Sequence, residues 1–362
     1  MNLTDEAAAQ MPAFKSVKTG AYKARLKVFP AMPQTRADVN LEGVWAQTLD
    51  GRNFVISADG GVNKIFVLGT PENLHKLCAA DVVYLDGTFK SSHRLFFQLY
   101  TVHAVYFGQM FPLLFALLPD KSQLTYSRLL RIIKQQCAAI GLTFSPTTVQ
   151  MDFELAAHNA AVVELPQSTV RGCFFHFTQA VWRKVQGFGL VEDFNHREDV
   201  RKWIRRSLAL PLVPINRVDE AFNHCIAPLM PALPAAQTFM DYLEETWVDA
   251  DRPRFSRHIW NHFENDGFRT NNHLEGWHGK MNKVVAKAHP NIYELVNVLK
   301  TEQAANETTM QMLRNGGNPT PQGTRYRFVN SRLRRYKDEF EAGTRDLPNY
   351  MDCVSNLLKY QG

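Results

Sequence analysis

The 362-residue chain reads as an α/β protein whose mixed sheet is flanked by helices and whose core is interrupted by an all-helical stretch. Three observations predict this. Short runs of β-branched and aromatic residues alternate with helix-period segments through the first half of the chain. Two of those runs end in an acid, at Asp86 and Asp152. From about residue 190 to 262 the strand signal disappears, and Pro211, Pro214, Pro228, Pro231 and Pro234 punctuate helical periods.

The elements follow in order. Residues 1–40 carry Lys15, Lys18, Lys23, Arg25 and Lys27 with few large apolar side chains, and read as a peripheral arm. Residues 44–49 and 53–56 flank Asp50-Gly51, a hairpin signal. Residues 65–68 are a short strand, and Thr70-Pro71-Glu72 is a helix start, with a hydroxyl cap and proline at the first helical position. Segment 1–79 is therefore expected to be an arm plus a small hairpin and helix subdomain. Residues 82–86 form a buried-type strand ending in Asp86. Residues 96–107 and 111–118 are two more strands, joined by a tight turn at Gly108-Gln109, which makes a meander. Residues 124–140 show helical spacing in Leu129, Leu130, Ile132 and Ile133. A strand at 148–152, a helix at 155–163, a strand at 170–175 and a helix opening at 177 complete the run.

Three strands, then helix, strand, helix, strand and helix, is the element order of an RNase H-like core, expected over 80–189. An all-α insertion is expected over 190–265. Helices at 272–285 and 292–313 are expected to close the core over 266–314, and Asn315-Gly316-Gly317-Asn318-Pro319 breaks the second. Residues 315–362, with Arg325, Arg327, Arg332, Arg334, Arg335 and Lys337, read as a basic C-terminal tail.

Composition narrows the function classes. Hydrophobic content of 45% with 21% charged residues is globular. An excess of 41 Lys and Arg over 35 Asp and Glu, net +6, favours an acidic partner, of which nucleic acid is the commonest. Five scattered cysteines argue against a disulfide framework and for a reducing compartment. No apolar run reaches the roughly 18 residues of a membrane span, and residues 110–118 are the richest stretch. A soluble, intracellular protein with no membrane partner is expected.

Two acids at the ends of strands that an RNase H-like sheet makes neighbours are what hard divalent cations require: carboxylates on rigid elements converging on one point. A lone acid at a strand end is ordinarily a solvated turn residue. Two in the right elements, followed by Glu275 on a late helix, reverse that judgement. Glu154, two residues after Asp152, is expected to cap the following helix or to stand behind the site.

Asp86-Gly87-Thr88-Phe89-Lys90, Asp152-Phe153-Glu154-Leu155-Ala156-Ala157, Gly172-Cys173-Phe174-Phe175-His176 and Arg269-Thr270-Asn271-Asn272-His273-Leu274-Glu275-Gly276-Trp277-His278 resemble, in order, the signature blocks of Mutator-like element (MULE) transposases. The resemblance is greatest to the animal group whose members often carry a FLYWCH-type zinc finger. It covers about 40–310, with family-like text between the blocks in Gln98-Leu99-Tyr100-Thr101-Val102-His103 and Leu117-Leu118-Pro119-Asp120-Lys121. It implies a DDE core on Asp86, Asp152 and Glu275 holding two Mg²⁺ (or Mn²⁺) ions. It further implies cleavage and strand transfer of double-stranded DNA, a nuclear location and a homo-oligomer working on paired ends. No paired Cys/His finger precedes residue 81, where the chain departs from many full-length relatives. The alternatives are a domesticated DNA-binding regulator without catalysis and an RNase H-like nuclease without strand transfer.

Around the acids, Cys173 and His176 form the C-x-x-H such families carry, which is two of the four ligands of a structural Zn²⁺. No second Cys/His pair stands at ligand spacing nearby, and His196, His224 and Cys225 are candidates only by proximity in sequence. The other reading makes Cys173 core and places His176, protonated or hydrogen-bonding, at the scissile phosphate. Asn272 reads as a helix cap with Glu275 completing a capping box, and His278 shares the helical face of Glu275. Trp277 and Trp182 are either core or stacking partners for unpaired bases. Lys90, Arg94, Arg183, Lys184, Lys280 and Lys283 are the candidate phosphate contacts, and 332–337 is a second basic cluster. Residues 201–206 read as an amphipathic helix docked on the core or as a DNA-facing ridge.

Overall fold

The computed structural model describes Gly20 and residues 29–249, 251, 254–265, 272–285, 289–319, 321 and 323–358, the side chains of Asn272, His273 and Glu275 excepted. The core is a mixed seven-stranded sheet in the order β1-β2-β5-β4-β3-β6-β7. The strands are β1 (Val55–Asp59), β2 (Ile65–Leu68), β3 (Val82–Thr88), β4 (Gln98–Tyr106), β5 (Gln109–Leu118), β6 (Thr148–Met151) and β7 (Thr169–Gly172). β3, β4 and β5 form the predicted antiparallel meander, and β3, β6 and β7 run parallel.

The connections are as parallel strands demand. Helix α1 (Pro71–Cys78) starts on the Thr70 cap, whose side chain accepts from the Asn73 amide. Helix α2 (Gln123–Ala139) carries the chain to β6, α3 (Leu155–Glu164) carries it to β7, and α4 (Phe174–Gly187) leaves the sheet. Strand β5 is buried on both faces along most of its length, and it is accordingly a nearly continuous apolar run. Its Leu114, Ala116 and Leu118 face α1, α2 and α3. Phe115 and Leu117 face α8 (Asn272–Val284) and α9 (Ile292–Arg314) across the opposite side.

A third core holds α4 together with the helices that follow: α5 (Val191–His196), α6 (Glu198–Ala209), α7 (Ala236–Leu243) and the one-turn helix at Arg257–Trp260. Among the described residues every element between β7 and α8 is helical. Residues 201–206 take the docking role. Trp203 and Ile204 of α6 are fully buried, while Arg206 pairs with Asp352 at 2.6 Å and donates to the Cys225 carbonyl at 2.8 Å.

Four expectations change. The hairpin around Asp50-Gly51 shrinks to one Gln47–Asn53 bridge beside a 3₁₀ turn at Gly43–Ala46. The real hairpin is β1–β2, and β2 pairs with β5, so the segment before residue 80 extends the main sheet and is no separate subdomain. The β4–β5 turn sits at Phe107-Gly108, one residue early, because Tyr106 pairs with Gln109 and both turn residues have positive φ. The basic tail is in fact two helices, α10 (Thr324–Glu341) and α11 (Leu347–Leu357). Leu333, Leu347, Tyr350, Met351 and Val354 enter the third core, and the arginines stand on the outer face.

Candidate active site

The pairing of β3 with β6 sets Tyr84 beside Gln150. Asp86 lies two residues beyond that pair within β3, and Asp152 lies two residues beyond it, directly after β6. Asp86 is 5% exposed. Its Oδ1 accepts from the Gly87 amide at 2.9 Å, and its carbonyl accepts from the Thr101 hydroxyl at 3.2 Å, which ties the end of β3 to β4. Asp152 follows the last residue of β6, and its carbonyl accepts from His158 Nε2 at 2.6 Å. Burial first, and then the charge of Glu154, push the Asp152 carboxyl up to about 6.

Glu154 belongs to this group of acids. It stands at the cap position of α3, one of the two places expected for it, without a side-chain capping bond. Its Oε2 accepts from the Tyr126 hydroxyl at 3.1 Å, and that hydroxyl accepts from Gln98 Nε2 at 2.7 Å. Gln98 reaches Tyr126 by lying across Gly87, where a Cβ would meet Gln98 Oε1 at 2.3 Å. The Asp86-Gly87 step thus needs its glycine so that the Gln98–Tyr126–Glu154 relay can pass beside Asp86. Gly172 has a similar reason, since a Cβ there would meet the Phe153 ring at 2.3 Å. That ring packs against His158, Trp247 and Phe255 and links the acid-bearing turn to the helical region.

Helix α8 approaches from the other side, with His278 Nδ1 at 3.5 Å from Asp86 Oδ2. Burial and neighbouring His176 lower His278 to about 4, and burial and Arg183 lower His176 to about 4. Of the two forms expected for His176, protonated or hydrogen-bonding, the lowered value favours the neutral, hydrogen-bonding one. His278 Nε2 and His176 Nδ1 are both buried without a hydrogen-bond partner among the described residues. His176 stands in the first turn of α4 and not at a strand end, because β7 stops at Gly172 and α4 begins at Phe174. Cys173 is fully buried. Its Met151 contact runs through the backbone amide. His196 is exposed beside Glu192, and Cys225 is core.

The pose of α8 is set by side chains on its own faces. Trp277 lies on Phe115 with its edge toward His103, and its indole donates to buried Glu302 of α9 at 2.9 Å. Lys280 reaches the same carboxylate at 2.6 Å. The Ser91 hydroxyl donates to Asn282 Oδ1 at 2.8 Å and ties the β3–β4 connection to the helix. The predicted cap at Asn272 and the predicted ligand at Glu275 fall on side chains outside the described residues. Among the described residues no three His, Cys, Asp or Glu side chains are grouped to hold a metal.

The cation candidates divide. Lys90, Arg94, Arg183 and Lys283 are exposed. Lys280 is committed to Glu302, and Lys184 lies over the Phe188 and Tyr242 rings. Trp277 and Trp182 are both core, the latter against Phe194. Sequence reasoning gave no role to Lys121, which follows β5 and whose charge opposes the rise that burial imposes on Asp152 and Glu154. It also passed over Tyr126, which a helical period marks only as apolar.

No helix among the described residues is long and apolar enough to cross a membrane. No curated protein matches the chain. Residues 82–180 match the family model of the MULE transposase domain, a span from the first residue of β3 into α4 that contains Asp86, Asp152, Cys173 and His176.

Proposed function

We propose that the chain is the catalytic core of a Mutator-like DDE transposase, built on an RNase H-like sheet, that cuts DNA strands and joins the freed ends to a target. The observation that carries this reading is the parallel pairing of β3 with β6, two neighbouring strands that each lead to an acid, Asp86 and Asp152, two residues beyond their Tyr84–Gln150 pair. The strand order β5-β4-β3-β6-β7 and the helical region before α8 support the same reading, as does the transposase family match.

Asp86, Asp152 and Glu275 would hold two Mg²⁺ (or Mn²⁺) ions. The donor set fits hard cations, because carboxylates are their preferred ligands and burial, with the charge of Glu154 beside it, holds Asp152 toward its neutral form. When bound, such ions activate the attacking oxygen and stabilise the leaving one. The chain's own residues do the rest. His278 orients the Asp86 carboxylate, and the Tyr126 relay fixes Glu154 behind Asp152. Lys121, Lys90 and Arg94 offer positive charge to the DNA backbone. Cys173 serves as packing, and a structural Zn²⁺ on Cys173 and His176 is the lesser reading, with only two ligands. Partners would be double-stranded transposon ends and target DNA, handled by a homo-oligomer in the nucleus.

The test is incubation of purified protein with supercoiled plasmid and terminal-repeat duplexes in Mg²⁺ or Mn²⁺, beside Asp86→Ala, Asp152→Ala and Glu275→Ala. Metal-dependent nicking and joining lost in all three variants is expected. Binding without cleavage in either metal would favour the domesticated binder, and nicking without joining would favour the nuclease. Activity surviving Glu275→Ala would remove that residue from the site.

A further inference from the structure

Large aromatic side chains in this chain are mostly buried, and two exceptions stand together beside the acids. Phe89 is 50% exposed and Phe97 is 42% exposed. Their rings meet edge to face at 5.3 Å and 82°, a preferred aromatic geometry. Lys121 Nζ stands 5.9 Å from the centre of the Phe97 ring. The topology explains the grouping. β3 and β5 are both antiparallel to β4, so they run the same way and end at one sheet edge. Phe89 follows the end of β3, three residues beyond Asp86, and Lys121 follows the end of β5. Phe97 precedes β4 at the same edge.

The pair is held in place from below. The Phe97 amide donates to the Leu118 carbonyl at 2.8 Å, and the Ser92 amide donates to the Phe89 carbonyl at 3.2 Å. Ser91 and the Lys90 carbonyl tie the same connection to Asn282 and His289. Two rigid, exposed rings are too small for a lasting protein interface, which needs an apolar patch of several hundred square ångströms. Exposed Lys90 follows Phe89 in the chain and exposed Lys121 stands over Phe97, which calls for an occupant that is flat and apolar on its face and anionic along its edge. An unstacked nucleobase on its sugar–phosphate strand has that chemistry.

We propose that Phe89 and Phe97, flanked by Lys121, form a stacking platform for a nucleobase displaced from the duplex next to the phosphate that the Asp86 and Asp152 site would cleave. The inference rests on the function proposed above, and it adds that the chain takes hold of locally unpaired DNA.

The probes are a forked duplex carrying 2-aminopurine in a short single-stranded arm and its fully paired counterpart, both with Ca²⁺ so that cleavage does not intervene. The expected result is a fluorescence change in the forked probe and about tenfold tighter binding of the fork than of the paired duplex. Phe89→Ala with Phe97→Ala should abolish both the signal and the preference, and Phe89→Tyr with Phe97→Tyr should restore them. Restoration by tyrosine would exclude misfolding as the cause. Equal binding of fork and paired duplex by the unaltered protein would overturn the platform while leaving the proposed function standing. A preference that survives the double alanine variant would do the same. Failure to bind either probe at any ionic strength would overturn both.

Discussion

Burial and the charge of Glu154 raise the Asp152 carboxyl to about 6, and that shift sets how stability depends on pH. Well below pH 4 the group is protonated in both folded and unfolded chains, so it costs nothing. As pH rises from about 4 to 6 the unfolded chain ionises first, stability falls, and the full cost is present above about 6. Asp152→Asn should therefore raise Tm by a few degrees near neutral pH and leave it unchanged in acid, as scanning calorimetry would read. Added Mg²⁺ should raise Tm for the unaltered protein more than for that variant. The relay behind Glu154 makes a second prediction at this scale. Tyr126→Phe removes one hydrogen bond to a carboxylate and should slow plasmid nicking about tenfold. Gly87→Ala, which forces Gln98 off Tyr126, should cost at least as much; unaltered nicking in both variants would remove the relay from the site.

Among the elements, α8 has the most to position and the least sheet contact to do it with. Trp277 and Lys280 share one buried carboxylate, Glu302, so the helix is fastened to α9 mainly through that point. Lys280 is more than half exposed and its Coulombic share is largely screened, so the indole bond and the packing of Trp277 on Phe115 matter more. Glu302→Leu leaves the buried indole N–H unpaired and should destabilise the fold by about 1–3 kcal/mol in urea unfolding. Lys280→Ala should therefore weaken stability with little change in the salt dependence of DNA binding. Lys283→Ala, on the exposed side of the same helix, should leave stability alone and lower the salt slope by about 1.

At the scale of the whole molecule, the helical region is closed by chain from the far end. Helix α11 brings Leu347, Tyr350, Met351 and Val354 into the third core, and Arg206 joins α6 to Asp352. Ending the chain before residue 346 should expose that core, giving insoluble protein or rapid proteolysis between 190 and 265. A tail would leave solubility and protease resistance intact, so limited digestion of the shortened chain decides the matter. Phe153 joins the same core to the acid-bearing turn through Trp247 and Phe255. Loss of α11 should therefore also depress plasmid nicking in whatever protein remains soluble.

The amino-acid sequence by itself determined the sheet's central strands, the helices that cross it and the pair of strand-end acids. These rest on local patterns: buried β-branched runs, helical apolar spacing, and acids where strands stop. The sheet also obeyed the neighbour relation that brings Asp86 to Asp152. What only the tertiary structure decided depends on partners distant in sequence. Glu154 looked like a helix cap until Tyr126 and Gln98 arrived from α2 and β4 to hold it. Lys280 looked like a phosphate contact until Glu302 claimed it, and Trp277 was settled as core by Phe115 and His103. The C-terminal arginines hid the apolar stripe of Leu333, Tyr336 and Phe340, because charge dominates a composition while packing needs only one face of a helix. Local propensity decides which elements form; burial against remote residues decides which side chains remain free to act.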